Sequence, residues 1–258
     1  MNKNAQNWDR EYQKPIFLTK GEKPRKDVVN FMRFLRKNAY LRDDMSFLDL
    51  GTGTGRNAFF AGTYGLTGIG IDSSKTAINL AKDRLKKEPA NIDFRIGSIG
   101  ERLDTLDESV DIVFDVLSSN SLNEKEREVY LSEMKRVLKP GGYILVKALC
   151  KDGDKNAKTL LKDFPGPETD TYVLPDVGIT ERVFSIDDFK KLYGQYFKIE
   201  KLDKKSNYMK SNGRLYKRNY IVAVLSNNLD SLVIEEILQA TKEPTLGGNL
   251  RELAKKVK

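Results

Sequence analysis

Two hydrophobic rhythms alternate along the first 150 residues. Short strand-like apolar segments fall at 46–50, 67–71, 92–96, 110–116 and 142–149, the most continuous at 110–116. Runs of that kind suit strands buried on both faces of a parallel sheet. Between them the apolar positions recur at helical spacing, as in Ala77, Ile78, Leu80, Ala81 and Leu85, and again over 124–138. Asp27 can cap a helix reaching about residue 40, whose apolar face is Val28, Phe31, Met32, Phe34 and Leu35. A further helix is expected over 55–64, and Ser73 or Ser74 can cap the one after the second strand. The helix of 124–138 should stop at Pro140-Gly141-Gly142. Strands alternating with helices imply an α/β fold, a parallel sheet with both faces covered.

After Cys150 the rhythm breaks. Residues 151–180 are rich in Lys, Asp, Gly, Pro and Thr, which reads as a long insertion over the C-terminal edge of the sheet. Ser185 can cap a helix through Tyr193, and strands are expected at 197–202 and 220–225. Leu229, Leu232, Val233, Ile237 and Leu238 mark one tail helix, and Leu250, Leu253, Ala254 and Val257 another. Their apolar faces need a partner, either the chain's own domain or a second copy. The organisation expected is a cap and helix over 1–45, a core domain over 46–225 with its insertion at 151–182, and a helical tail over 226–258.

The candidate chemistry lies where the first strand ends, at Asp49-Leu50-Gly51-Thr52-Gly53-Thr54-Gly55-Arg56. Glycines at alternate positions let the backbone turn sharply and bring its N–H groups close to a ligand. The helix that follows presents its positive end there. In a dinucleotide fingerprint the third glycine would stand three residues after the second, where this chain has Arg56. Asp49, two residues before Gly51, would repel a pyrophosphate and suits a ligand bearing a positive group. Asp72 ends the second strand about twenty residues further on, the separation at which a βαβ unit puts a carboxylate beside a ribose. A carboxylate accepts hydrogen bonds from both hydroxyls of a ribose diol.

Composition narrows the chemistry. The chain has 258 residues, 39% of them hydrophobic, enough for a sizeable core. It has no histidine, which leaves Asp, Glu, Tyr and Lys for any proton transfer. Its single cysteine cannot form an intrachain disulfide, which suits a reducing compartment. No apolar stretch approaches the ~18 residues of a membrane span, and no signal-peptide core follows Met1, so a cytoplasmic protein is expected. The net charge of +8 has two readings. Lys204, Lys205, Lys210, Arg214, Lys217 and Arg218 could bind a polyanion. With 32% of residues charged and acids interspersed, a solvated lysine-rich surface is the simpler one.

The spacing DxGxGxG followed by Asp72 resembles motif I and its ribose partner in the class I S-adenosylmethionine-dependent methyltransferases. Local features are similar to the small-molecule enzymes of the tellurite-resistance and thiopurine type. The resemblance implies a Rossmann-like three-layer sandwich, seven strands with the last inserted antiparallel, and S-adenosylmethionine as cofactor. Trp8-Asp9-Arg10-Glu11-Tyr12 resembles the segment W-D-x-x-Y that closes over the donor. By the same resemblance Thr52 in the turn and Ser73 beside Asp72 lie against the donor. Gly97-Ser98-Ile99 stands where the family often has Gly-Asp-Ala, so Ser98 and the backbone of Ile99 would meet the adenine, with a neutral hydroxyl replacing a carboxylate. Asp115 occupies the motif IV position lining the reaction site. Arg136-Val137-Leu138-Lys139-Pro140-Gly141-Gly142 is similar to the family's R-x-L-K-P-G-G turn, read here as architecture. Glu181-Arg182 is similar to the segment after the substrate-covering insertion.

Without histidine, Asp115, Tyr12, Tyr172 and Glu181 are the candidates to take a proton. Asp115 and Tyr12 are the catalytic candidates, with Tyr172, Glu181 and Arg182 toward the acceptor. No metal ligand is expected. The chain lacks the Asn/Asp-Pro-Pro-Tyr/Phe motif of amino-methylating nucleic-acid enzymes, since Val116-Leu117-Ser118-Ser119-Asn120 follows the fourth strand. One cysteine also argues against a two-cysteine mechanism on pyrimidines. Both absences favour a small or peptidic acceptor, and a small molecule is the leading expectation. The alternatives are an RNA or protein methyltransferase using the basic surface around 204–218, and a catalytically silent donor-binding scaffold.

Overall fold

The computed structural model describes residues 2–15, 18, 19, 21–211 and 214–228. Both expected tail helices lie outside the described residues. Helices α1 (Lys3–Gln13) and α2 (Lys26–Lys37) precede β1 (Ser46–Leu50), α3 (Arg56–Gly62), β2 (Thr67–Asp72), α4 (Lys75–Lys87) and β3 (Ile92–Ile96). Then come β4 (Val110–Val116), a 3-10 turn at Ser119–Ser121, α5 (Glu124–Val137), β5 (Leu138–Cys150) and α6 (Lys155–Asp163). The chain continues through β6 (Thr171–Val173), β7 (Thr180–Arg182), α7 (Ile186–Tyr193), β8 (Lys198–Ser211) and β9 (Arg214–Ser226). The main sheet has seven strands in the order β3-β2-β1-β4-β5-β9-β8. Strand β9 runs antiparallel to both neighbours, while the pairings from β3 through β5 are parallel.

Because side chains alternate across a strand, each strand feeds two cores. Phe47, Phe114, Leu145 and Val222 face α2, α3 and α4, meeting Phe31, Met32, Ala58, Phe59 and Ile78. Leu48, Val113, Ile144, Val146 and Ala223 face the other way, onto Tyr130, Leu131 and Met134 of α5 and Phe189 of α7. A third cluster lies under residues 151–182, where Leu149, Tyr172, Leu174, Ile179, Val183 and Tyr220 pack together, with Trp8 and Leu117 against them. The strand order reverses between β1 and β4. That is the switch point at which open α/β sheets bind ligands beyond the strands' carboxyl ends.

Three elements differ from the sequence reading. Residues 3–13 are a helix, capped by Asn2, whose carboxamide oxygen accepts from the Ala5 N–H at 2.9 Å. Its buried positions are Asn7 and Glu11, so the inward face is polar and leaves no apolar period to read. Strand β5 starts at Leu138, running through Pro140-Gly141-Gly142 rather than after it, with an irregularity opposite Val110 and Ile112. Strands β8 and β9 extend far beyond 197–202 and 220–225, so the stretch expected between them is itself paired β-structure. Its polar outer half lacks the apolar run by which a strand is recognised.

Candidate active site

Strand β1 delivers the chain into the glycine turn, and two carboxylates hold that turn from beneath. The Asp72 carboxylate accepts from the Gly53 N–H and the Ser74 N–H, both at 2.8 Å. Asp49 accepts from the Thr52 hydroxyl at 2.7 Å. Burial raises both acids, Asp49 to about 7 and Asp72 to about 6, against the hydrogen bonds that favour their charged forms. Gly53 has φ 57 and Gly55 φ 80. A methyl on Gly53 would strike the Tyr12 hydroxyl, and one on Gly55 would lie 2.7 Å from the Phe94 ring. The two glycines therefore serve different contacts, one with the covering helix and one with the sheet.

Above the turn lies a cavity of about 470 Å³. Trp8, Tyr12, Gly51, Thr52, Gly53, Asp72, Ser73, Ser98 and Ile99 all line it. Helix α1 forms its roof, tied down by polar bonds. Trp8 donates to the Ser121 hydroxyl at 3.0 Å, and Asn7 to the Gly178 carbonyl at 2.7 Å. Asn4 accepts from the Thr180 N–H at 2.8 Å and donates to the Ser121 carbonyl at 2.8 Å. Asp9 accepts from the Ser74 hydroxyl at 2.6 Å and the Thr76 N–H at 2.9 Å, at the start of α4. One helix thus fastens to both the β2–α4 turn and the insertion.

Some expected site residues stand elsewhere. Asp115 is fully buried and off the cavity wall. It accepts from the Tyr130 hydroxyl at 2.5 Å and from the N–H groups of Ser118 at 3.0 Å and Ser119 at 3.2 Å. It therefore shapes the turn after β4, in which Leu117 takes φ 68 and lines the cavity. Asp49 and Gly55 act from behind the wall as well. Tyr172 is buried behind Glu181, and Arg182 points away, 3.9 Å from Glu124 and over the Phe184 ring. The reason is common to Asp115, Asp49 and Tyr172: sequence position at a strand end does not say whether a side chain faces the cleft or the core.

The far end of the cavity is built by side chains the sequence reading did not place there. Lys147 and Leu149 on β5, Arg218 and Tyr220 on β9, and Asn207 on β8 line it. The register sets Leu149 opposite Tyr220 and Asn207 opposite Arg218, so these residues share one face of three adjacent strands. Lys147 donates to Asp27 at 2.7 Å and lies 4.5 Å from the centre of the Tyr220 ring. Arg218 donates to the Tyr172 hydroxyl at 2.5 Å, which in turn donates to Glu181 at 2.7 Å. Burial raises the Glu181 carboxyl above its ordinary range. A signal was available: Lys147 is the lone charge inside the apolar run 144–149.

Among the described residues, three carboxylates line the cavity: Asp72, Glu126 and Glu181. Asp72 spends both oxygens on main-chain donors, and Glu126 spends its two on Asn2 and the Asn123 N–H. Glu181 has one hydrogen-bond donor, Tyr172. Of the basic cluster, Lys205 pairs with Asp27 at 2.9 Å, Arg218 is inside the cavity, and Lys204 reaches toward the Asp152 carbonyl at 3.4 Å.

A glycine turn beneath a closed cleft at the switch point, with an acid at the end of β2, defines a donor-binding α/β transferase. Residues 41–242 match the family described as a methyltransferase domain, and the chain belongs to that family. It is an S-adenosylmethionine-dependent methyltransferase. No curated protein gives a significant match. Among solved structures, it is similar to an S-adenosylmethionine-dependent methyltransferase from Methanosarcina mazei, at 21% identity and TM-score 0.64, over 75% of this chain and 97% of that one. TehB from Haemophilus influenzae aligns at 17% identity and TM-score 0.60, over 86% and 67%. The 1,6-didemethyltoxoflavin-N1-methyltransferase of Burkholderia thailandensis, solved with 1,6-didemethyltoxoflavin and S-adenosylhomocysteine bound, aligns at 15% and 0.64, over 87% of each chain. Among the described residues no helix is long and apolar enough to cross a membrane.

Proposed function

We infer that the chain methylates a small-molecule acceptor whose nucleophilic atom carries a removable proton. The observation that carries this reading is the roofed cavity, which runs from the glycine turn to Lys147, Arg218 and Glu181 beneath α1 and β7. Its volume lies within the ordinary range for small-ligand sites, about 300–1,000 Å³. The toxoflavin-precursor enzyme of the same fold supports it by analogy.

The residues fit the donor. The main-chain N–H groups of the turn and the Asp72 carboxylate suit a ribose, and Ser98 with Ile99 suits the adenine edge. Arg25 and Arg56 line the cavity, and Arg56 lies within electrostatic reach of Asp49 behind the wall. These guanidinium groups suit the carboxylate of the donor's amino-acid end, and Asp49 acts on that end by holding Thr52 of the turn. When bound, S-adenosylmethionine supplies a methyl group on a sulfonium, a leaving group that departs as a neutral thioether.

The protein's part is to align the acceptor, exclude water and take a proton. Tyr12 and Trp8 close the roof, and Leu117, Leu149 and Leu174 give the acceptor end apolar walls between its charged groups. Holding reactants in line at contact distance is worth orders of magnitude in rate. Glu181 takes the acceptor's proton, since it is the wall carboxylate with an uncommitted oxygen and burial raises its affinity for protons. Tyr172 and Arg218 hold it in place. The test is label transfer from S-[methyl-³H]adenosylmethionine into an ultrafiltered extract and, separately, into its RNA and protein fractions. Label in the small-molecule fraction supports the reading; label confined to macromolecules refutes it.

A further inference from the structure

We propose that the acceptor is an anionic planar molecule, a carboxylate or phosphate attached to a ring, whose negative group docks on Arg218 and Lys147. The proposal rests on the methyl-transfer reading and names the substrate class for that same site. Arg218 is 8% exposed and lines the cavity. Its Nη2 donates to Tyr172, and its Nε faces Asp154 behind the wall at 3.8 Å. A planar anion fits the fork of a guanidinium. Lys147, 6% exposed, stands on the same strand face, with Tyr220 between the two cations.

Charge bookkeeping in this corner favours an anion over a cation or a neutral group. Three cations, Lys147, Lys205 and Arg218, face three acids, Asp27, Asp154 and Glu181. Asp27 and Asp154 approach from behind the wall, so the surface a ligand meets is Lys147, Arg218 and Glu181. Bound donor adds the positive sulfonium. The wall itself presents two cations against one acid, so an anion balances it with or without the sulfonium. A cation would meet two wall cations and, with the methyl donor bound, the sulfonium, and a neutral acceptor would leave the wall's excess positive charge unbalanced. The ring has matching walls: Tyr220 beneath, Leu149 and Leu174 beside it, and the exposed Tyr208 at the mouth.

The test uses probes of one shape and three charges on the protein saturated with S-adenosylhomocysteine: benzoate and phenyl phosphate, benzamide, and benzamidine, by calorimetry. Benzoate or phenyl phosphate should bind about tenfold tighter than benzamide, the scale of one well-placed charged hydrogen bond. Whichever of the two anions binds tighter identifies the anionic group. Arg218→Gln should erase that preference. Should Arg218→Gln not fold, Arg218→Lys, which keeps the charge but not the fork, should still reduce it. Preference for benzamidine, no preference by charge, or an anion preference unchanged in Arg218→Lys would overturn the proposal. Saturation with S-adenosylhomocysteine is measured first, so failure of donor binding is seen separately from failure of acceptor recognition.

Discussion

Replacing Asp72 by asparagine separates donor recognition from stability, because the carboxylate serves both. Its oxygens accept from the Gly53 and Ser74 N–H groups at 2.8 Å each, and it also lines the cavity. Asparagine keeps the shape but turns an NH₂ toward one of those donors. Hydrogen bonds to a charged group are worth about 1.5–3 kcal/mol, and an orphaned buried donor costs about 1–3 kcal/mol. Against that, the charge is desolvated strongly enough to raise Asp72 to about 6, a penalty asparagine does not carry. The two effects oppose each other in the unliganded protein, so its stability at pH 7 should change little. Affinity for S-adenosylhomocysteine should fall by about 1–3 kcal/mol, because the ribose hydroxyls lose a charged acceptor.

The pH dependence supplies the decisive sign. A carboxylate raised in the free protein, and favoured in its charged form by the ribose, has its pKa lowered by ligand. Affinity therefore rises with pH below about 6 and levels off above it, by at most about tenfold per pH unit for one proton. Calorimetry between pH 5 and 8, in buffers of different ionisation enthalpy, should show proton release on binding below that point. Asp72→Asn should remove this part of the slope. Equal slopes in both proteins, or none in the wild type, would refute the ribose assignment. For folding the sign is the reverse. A raised carboxyl contributes stability that is present below its unfolded pKa and lost as pH rises through its folded one, so the unliganded protein should be firmer at pH 4–5 than its Asp72 and Asp49 would allow at pH 8.

Two further perturbations probe the turn and its support. Gly53→Ala combines a left-handed backbone, about 1–2 kcal/mol for a side-chain-bearing residue, with a clash against the Tyr12 hydroxyl; urea unfolding and ligand binding should both weaken, and the Tyr12→Ala background should recover the clash but not the backbone cost. An equal penalty in both backgrounds would show that Tyr12 does not rest on the turn. Asp115→Ala should cost about 3 kcal/mol of stability by orphaning Tyr130 and two N–H groups. Stability within error of the wild type in urea melts would contradict the role given to Asp115 as the organiser of the turn after β4.

The sheet, its helices and the donor turn were legible along the chain because each is local. A strand of a covered parallel sheet carries apolar residues on its buried faces, a helix repeats every 3.6 residues, and a tight turn with left-handed backbone favours glycine. The spacing of Gly51, Gly53 and Gly55 with Asp72 follows from the size of one βαβ unit. Helix α1 escaped because its inward face, Asn7 and Glu11, is polar, binding the insertion and residues 18–19 by hydrogen bonds rather than apolar contact. Lys147, Glu181 and Arg218 are separated by 34 residues or more and meet only because β9 inserts between β5 and β8 and α1 draws β7 over the edge. Whether Asp115 touches a ligand was likewise a matter of which side chain turns toward the cleft at the end of β4. Local propensity sets elements; only the pairing of distant strands sets which charges share a cavity, and that decided the acceptor end.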